Sequence, residues 1–301
     1  MDFHQLQLFL RIAEAGHLGR AAAASGLAPA TLSHHLAALE RSLGTVLFDR
    51  AGRGLRLTEA GHLLRGFATR ILNEAAAARA AIAEQERAES GTLRLGVIHS
   101  FHANLMPGLV AEFLGSHPGI RVDAREMIAR DIEAGLLEGE LDLGLAFSPA
   151  GEPGLGCLRL FDEALVLVTA EGGRWAGAPP EEIPLALLPQ RFATRRMIDA
   201  ALAGRWVPKV VAEVDAIGSI LALVRSGAVG TVLSSRSVVG GGLDCRAIGD
   251  PPPIRSAALL WCPQRYQSAA ARAFSALVRA RLSDRAGHSL RAMVRRTVNS
   301  R

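Results

Sequence analysis

A chain of 301 residues and 31.8 kDa has room for two domains of roughly 150 residues, each with its own core. Its composition, 49% hydrophobic and 21% charged, is that of an ordinary globular protein, and 5% aromatic residues with a single tyrosine leave little for stacking on nucleic-acid bases. The formal net charge of +5 is unevenly spread: residues 265–301 carry nine arginines against one aspartate, and this basic tail reads either as a solvated end or as a surface for DNA or another acidic partner.

The first stretch, MDFHQLQLFLRIAEAG, holds Asp2 and Glu14 inside an amphipathic pattern, which is unlike an export signal. Leu6, Phe9, Leu10 and Ala13 recur at helical spacing, and Gly16 stops that helix. A second short helix is predicted from Leu18 to Ala24, closed by Ser25-Gly26. Pro29 suits the first turn of a third helix, because its missing N–H has no partner there in any case. Leu32, Leu36, Leu39 and Leu43 form the buried stripe of that helix, and Gly44 ends it. The segment LFDRAGRGLRLT then reads as two short strands around a glycine turn.

Three short helices followed by a basic hairpin make a winged helix-turn-helix. The third helix of such a module lies in the major groove, where donor and acceptor patterns distinguish all base pairs. Its outward residues are Thr31, Ser33, His34 and His35, with Pro29 and Ala30 at the leading end, and Arg50, Arg53 and Arg56 of the wing are placed to meet phosphates. The bland alternative is a small helical domain with a solvated polar face.

Residues 59–89 read as one long helix. Thr58 is a suitable N-cap, and Leu64, Phe67, Ile71, Ala75, Ala78 and Ile82 follow a three/four spacing that suits pairing with a second copy of the helix, with packing on its own domain as the bland alternative. From residue 90 strands and helices alternate: TLRLGVI, a helix ending at Pro118, IRVDAREM, the helix DIEAGLLEGELD, and LDLGLAF. A second such unit follows with EALVLVTA, VVAEV, SILALVRSG and VGTVLSS. This predicts an α/β fold with a largely parallel sheet, built as two lobes with a ligand crevice at the strand ends. The domains are thus 1–58, 59–89 and 90–301, the last split into lobe I (90–161 and 265–301) and lobe II (162–264).

No apolar run reaches about 18 residues, so no membrane span is predicted. Cys157, Cys245 and Cys262 are too few and too scattered for a disulfide framework or a CxxC metal site, which predicts a reduced, cytoplasmic setting and argues against a redox sensor. GxSxG, HExxH and P-loop signatures are absent, so no catalytic residue, cofactor or metal is expected.

The run AAAASGLAPATLSHHLAALERSLGTVLFDRAGRGLRLTEAG resembles the signature of the LysR-type transcriptional regulators, with Ser33, Leu39-Glu40, Leu43-Gly44, Leu47-Phe48, Arg50 and Leu57–Gly61 in register. The segments REM (125–127), LDLGLAFSP, RFATRRMID, EVDAIGSILALVRSG and SAAARAF resemble the cyanate-responsive branch of that family. The resemblance implies a winged helix-turn-helix, a linker helix and a two-lobed α/β effector domain of the periplasmic-binding-protein type. It also implies a homodimer through the linker helix and a homotetramer, with double-stranded promoter DNA and RNA polymerase as partners. The chain departs from the family pattern at His17-Leu18-Gly19, where Ser-Phe-Thr is usual, at Pro29, where Gln is usual, and at His34, where Arg is common; the last two lose a bidentate adenine contact and a guanidinium fork.

By the same resemblance the effector site is expected at His99, Ser100 and His102 after the first effector-domain strand. Phe147, Thr194, Arg195 and Ser219 are expected to complete the ring around a small anion, with cyanate the leading candidate. A small carboxylate is the alternative effector. A solute-binding module whose DNA-binding part is vestigial is the alternative of another class.

Overall fold

The computed structural model describes residues 1–51, 54–84, 91–102, 105–148, 152–238, 240–249 and 251–282. They form two compact units, the first ending near residue 87. None of their helices is long and apolar enough to cross a membrane.

In the first unit, helix α1 (Phe3–Ala15) is opened by a capping box between Asp2 and Gln5 and closed by Gly16 in the left-handed region. Helix α2 (Leu18–Ser25) is capped by the His17 imidazole, whose Nδ1 accepts the Gly19 N–H at 3.0 Å. Helix α3 (Pro29–Leu43) begins on proline and ends at Gly44. Strands β1 (Phe48–Ala51) and β2 (Gly54–Leu57) pair antiparallel, with Asp49 opposite Arg56. Leu6, Phe9, Ile12, Ala21, Leu32, Leu39, Leu47 and Phe48 are the heart of the core. Leu43, read from the sequence as buried, is exposed, because it lies in the last turn of α3 beyond the packed face.

Helix α4 (Glu59–Glu84) starts where the sequence placed it. Thr58 Oγ1 accepts the Gly61 N–H at 3.0 Å and donates to the Val46 carbonyl at 2.8 Å, so one hydroxyl caps the helix and ties it to the segment that leads into β1. Gly61 permits this approach: a Cβ there would stand 2.2 Å from the Leu47 carbonyl oxygen. Ala60, Leu64, Ala68 and Leu72 pack into the core of the unit.

In the second unit, β3 (Gly91–Val97), the single turn α5 (His99–His102), α6 (Met106–Ser116), β4 (Ile120–Glu126), α7 (Ala129–Glu138) and β5 (Leu143–Ser148) follow in turn. The long strand β6 (Gly156–Ala170) leads through β7 (Pro184–Leu187), α8 (Ala193–Leu202), β8 (Lys209–Glu213), α9 (Ile217–Arg225), β9 (Thr231–Ser234) and β10 (Leu243–Ala247). Strand β11 (Ile254–Trp261) and helix α10 (Ala269–Leu282) return the chain to the first lobe.

The principal sheet runs β10-β6-β11-β5-β3-β4, with β9 also on β6. It is mixed, not largely parallel: β3 pairs parallel with β4 and β5, whereas β11 pairs antiparallel with β5 and β6, and β6 antiparallel with β9 and β10. The cause is the path of the chain, since β6 leaves lobe I and β11 comes back beside it. Ala257, Ala258, Leu259 and Leu260 of β11 pack in the core of lobe I with Leu93, Ile132 and Phe274, so the sequence-based division, which gave all of 162–264 to lobe II, is corrected there. Two clusters, one with Val168, Ile220 and Val224 and one with Leu165, Leu185 and Ile198, fill the two sides of lobe II.

Candidate functional site

Two features can carry function, one in each unit. In the first unit, Leu32 and Leu39 anchor α3 on the core, which leaves Pro29, Ala30, Thr31, Ser33 and His34 exposed along the opposite face. His35 is half-buried: its ring meets the His4 ring edge-on at 5.4 Å and lies 6.5 Å from that of His34. Arg56 is exposed on β2. Arg50 holds its backbone place in β1 opposite Leu55, and Arg53 lies outside the described residues. The helix thus offers hydroxyls, imidazoles and the rim of a proline, a surface able to read base edges with short groups.

In the second unit a cleft of about 350 Å³, its open mouth included, lies between the lobes at the carboxyl ends of strands. Ile98, His99 and Ser100 come from the end of β3 and α5, Met127, Ile128 and Ala129 from the end of β4 into α7, and Phe147 from β5. Lobe II contributes Leu188, Phe192, Ala193, Thr194 and Ile217. The wall is chiefly apolar with a few fixed polar groups, the usual make-up of a small-molecule site.

His99 bridges the lobes. Its Nε2 accepts the Ile217 N–H at the start of α9 at 3.0 Å, which leaves the proton on Nδ1 to be donated to Glu126. His102 stands 3.7 Å from the other Glu126 oxygen and is absent from the lining. Among the described residues no group of three histidine, cysteine or acidic side chains has the geometry to hold a metal ion.

Four of the effector residues expected from the sequence therefore meet in the cleft: His99, Ser100, Phe147 and Thr194. Arg195, the next residue after Thr194, turns the other way. Its buried guanidinium donates to Glu213 at 2.7 Å, to Asp199 at 3.0 Å and to the Leu188 carbonyl at 2.9 Å. Burial pulls its pKa down, but the bonds to Glu213 and Asp199 outweigh that and hold it above its ordinary value. It is a brace inside lobe II, facing an open groove with Trp206 and Pro208. Ser219 is also displaced: α9 begins at Ile217 after an uncapped Ala216, and Ser219 points from its third position to solvent.

The residue that sequence reasoning missed is Arg255 of β11. Its side chain is 1% exposed and paired with the wholly buried Glu163. Nη1 donates to Thr194 Oγ1 at 2.6 Å, Nη2 to Ser100 Oγ at 3.2 Å, and the guanidinium lies 4.3 Å from the centre of the Phe147 ring. Burial draws its pKa below the ordinary value, opposed by Glu163. Three of the four effector residues in the cleft thus rest on one cation. No local motif marks it, since its partners lie 61, 92 and 155 residues away in sequence.

Comparison with known proteins agrees with this architecture. Residues 3–62 match the bacterial regulatory helix-turn-helix model of the lysR family, and residues 86–283 match the LysR substrate-binding domain. A probable hydrogen peroxide-inducible genes activator of Streptomyces viridosporus is 33% identical, covering 85% of this chain and 86% of that protein. The regulator IlvR of Caulobacter vibrioides is 30% identical over 87% of this chain and 92% of its own. Other relatives match over less: this chain spans 58% of the Bordetella bronchiseptica regulator BbuR, at 33% identity. Among solved structures, full-length OxyR C199D of Pseudomonas aeruginosa superposes with a TM-score of 0.71 over 92% of this chain and 93% of that one, at 24% identity. CbnR in complex with its target DNA gives 0.70 over 93% and 99%, at 23% identity. The family models alone cover most of the chain, which belongs to the LysR family of bacterial regulatory proteins, with a helix-turn-helix domain followed by a substrate-binding domain.

Proposed function

We propose that this protein is a cytoplasmic transcription regulator that binds promoter DNA through α3 and the β1–β2 wing, and that a small anion in the interlobe cleft alters that binding. The observation that carries the effector reading is the convergence of the Ser100 and Thr194 hydroxyls, one from each lobe, in a largely apolar cleft beside the N-terminus of α9. An anion held by both lobes favours one arrangement of them, and a tenfold change in occupancy takes about 1.4 kcal/mol of differential affinity. Cyanate is the first effector to test, on the resemblance of the second domain to the cyanate-responsive branch, and small carboxylates come next.

The exposed Leu63, Phe67, Ile71 and Ile82 on α4 support dimerisation through this helix, and a homotetramer that touches RNA polymerase completes the reading. A footprint of the full-length protein on the DNA upstream of its own gene, with and without cyanate or acetate, tests it. A long footprint that shortens or shifts with one anion is expected. A footprint indifferent to every anion retains the DNA-binding part and overturns the effector part, and no footprint on any promoter overturns both.

A further inference from the structure

We infer that Arg255 is a positioning residue that couples the two lobes, holding a hydroxyl of each and able to let at least one go. The place it occupies is unusual. Arg255 and Glu163 face each other across β11 and β6, the two strands that pass between the lobes, and the pairing slips by one residue two pairs further on, between Ala257 and Ala258. Such a slip bends and twists a strand locally.

The three arms of the guanidinium go three ways. Nε serves Glu163 of the crossing strand, Nη2 serves Ser100 of lobe I, and Nη1 serves Thr194 of lobe II. An arginine that meets a carboxylate on its own terms gives it two parallel bonds. Here the Nη arms are spent on the hydroxyls, and the second oxygen of Glu163 is buried without a hydrogen-bond partner among the described residues. A buried acceptor left unpaired is costly, so a second arrangement competes with this one: a bidentate Arg255–Glu163 pair that satisfies that oxygen and releases at least one lobe's hydroxyl. The pair is therefore a two-position element, the kind of device on which a ligand can act.

The same geometry specifies the chemistry of that ligand, a deduction that rests on the effector reading above. Thr194 Oγ1 accepts from the cation, so its own proton is the one to be given to a ligand. A ligand that only accepts, an anion, extends a donor chain from guanidinium to hydroxyl to ligand and strengthens each bond in it. It stabilises the spread arrangement seen here.

Hydrogen exchange on the full-length protein without ligand tests the coupling. Thr194→Val alters lobe II alone, yet it is expected to speed exchange about fivefold, the effect of one net hydrogen bond, at the Phe101 and His102 amides of lobe I. Ser100→Ala is expected to do the same at the Arg195 and Arg196 amides of lobe II. The double variant should then change each set by less than the two single effects multiplied. In an Arg255→Lys background, where the charge stays but cannot span three partners, neither substitution should act across the cleft. A merely structural Arg255 would lower thermal stability without producing any cross-lobe effect. Multiplicative single effects, or effects confined to the lobe that was changed, overturn the proposal, and the cycle of Ser100→Ala with Thr194→Val decides it even if the Arg255 variant fails to fold. Added cyanate or acetate should slow exchange at both sets of amides in the parent protein and not in Thr194→Val. Cross-lobe coupling with no response to either anion sinks the anion reading and leaves the Arg255 role standing.

Discussion

Thr194 and Arg195 are neighbours in sequence with opposite duties. Thr194 belongs to the cleft and Arg195 to the interior of lobe II, where it ties α8 to β8 through Glu213. Arg195→Met should therefore lower the melting temperature and leave anion affinity within about twofold, whereas Thr194→Val should weaken an anion about tenfold, the range of a hydrogen bond to a charged group. Calorimetric titration and a thermal melt on the same samples separate the two. Ser100 and Thr194 were legible through the family resemblance of their segments, the turn after the first effector-domain strand and RFATRRMID. The sequence hid Arg255 because an arginine at the start of a strand looks like any other until the fold brings Glu163 beside it.

Acid stability offers another test at this scale. Asp162 is held below its ordinary value of 3.8 by the Arg159 guanidinium, with burial opposing and the Ser256 hydroxyl helping. A carboxylate depressed in the folded state stabilises the protein above its unfolded value and loses that contribution as pH falls through the folded one. The advantage of the parent protein over Arg159→Ala in thermal melts should be present at pH 7, shrink below pH 3.8, and vanish once Asp162 is protonated in both states.

Helices α1 to α4 were legible in the sequence because their boundaries are set by local chemistry: Gly16, Ser25-Gly26, Pro29, Gly44 and the Thr58 cap; the Asp2 cap of α1 came only with the structure. Strands β7, β10 and β11 were not picked out: the short apolar runs of β7 and β11 carry no period of their own and are fixed by their neighbours in the sheet, and the five residues of β10, though alternating, are too few to stand out. The contact between α4 and the wing depends on the bare backbone of Gly61. Gly61→Ala should cost about 1–3 kcal/mol by overpacking, measurable by denaturant unfolding. On the outer side of α4, Phe67→Asp should leave the fold intact and break the proposed helix-paired dimer into monomers in analytical ultracentrifugation, because Phe67 is about half exposed, with the Arg70 guanidinium over its ring. A Phe67→Asp protein that sediments as the parent does would remove this seam from the interface.

For the molecule as a whole, DNA binding should weaken steeply with salt as counterions are displaced. Arg56→Ala should lower affinity for all sequences alike and reduce the slope by about one, while Ser33→Ala should cost more on the operator than on random DNA. Equal losses on both DNAs would take Ser33 off the reading face. The route of β6 and β11 has a consequence for how the protein is made. Lobe II is one continuous stretch inserted into lobe I, so its residues emerge from the ribosome in one piece and can fold as they appear. Lobe I cannot. The middle strand that β5 and β6 share, and the helix carrying Phe274 and Val278, arrive only with residues 254–282. Until then its apolar sheet stays open along one edge, and synthesis passes through a stage in which the second lobe is finished and the first awaits its last strand.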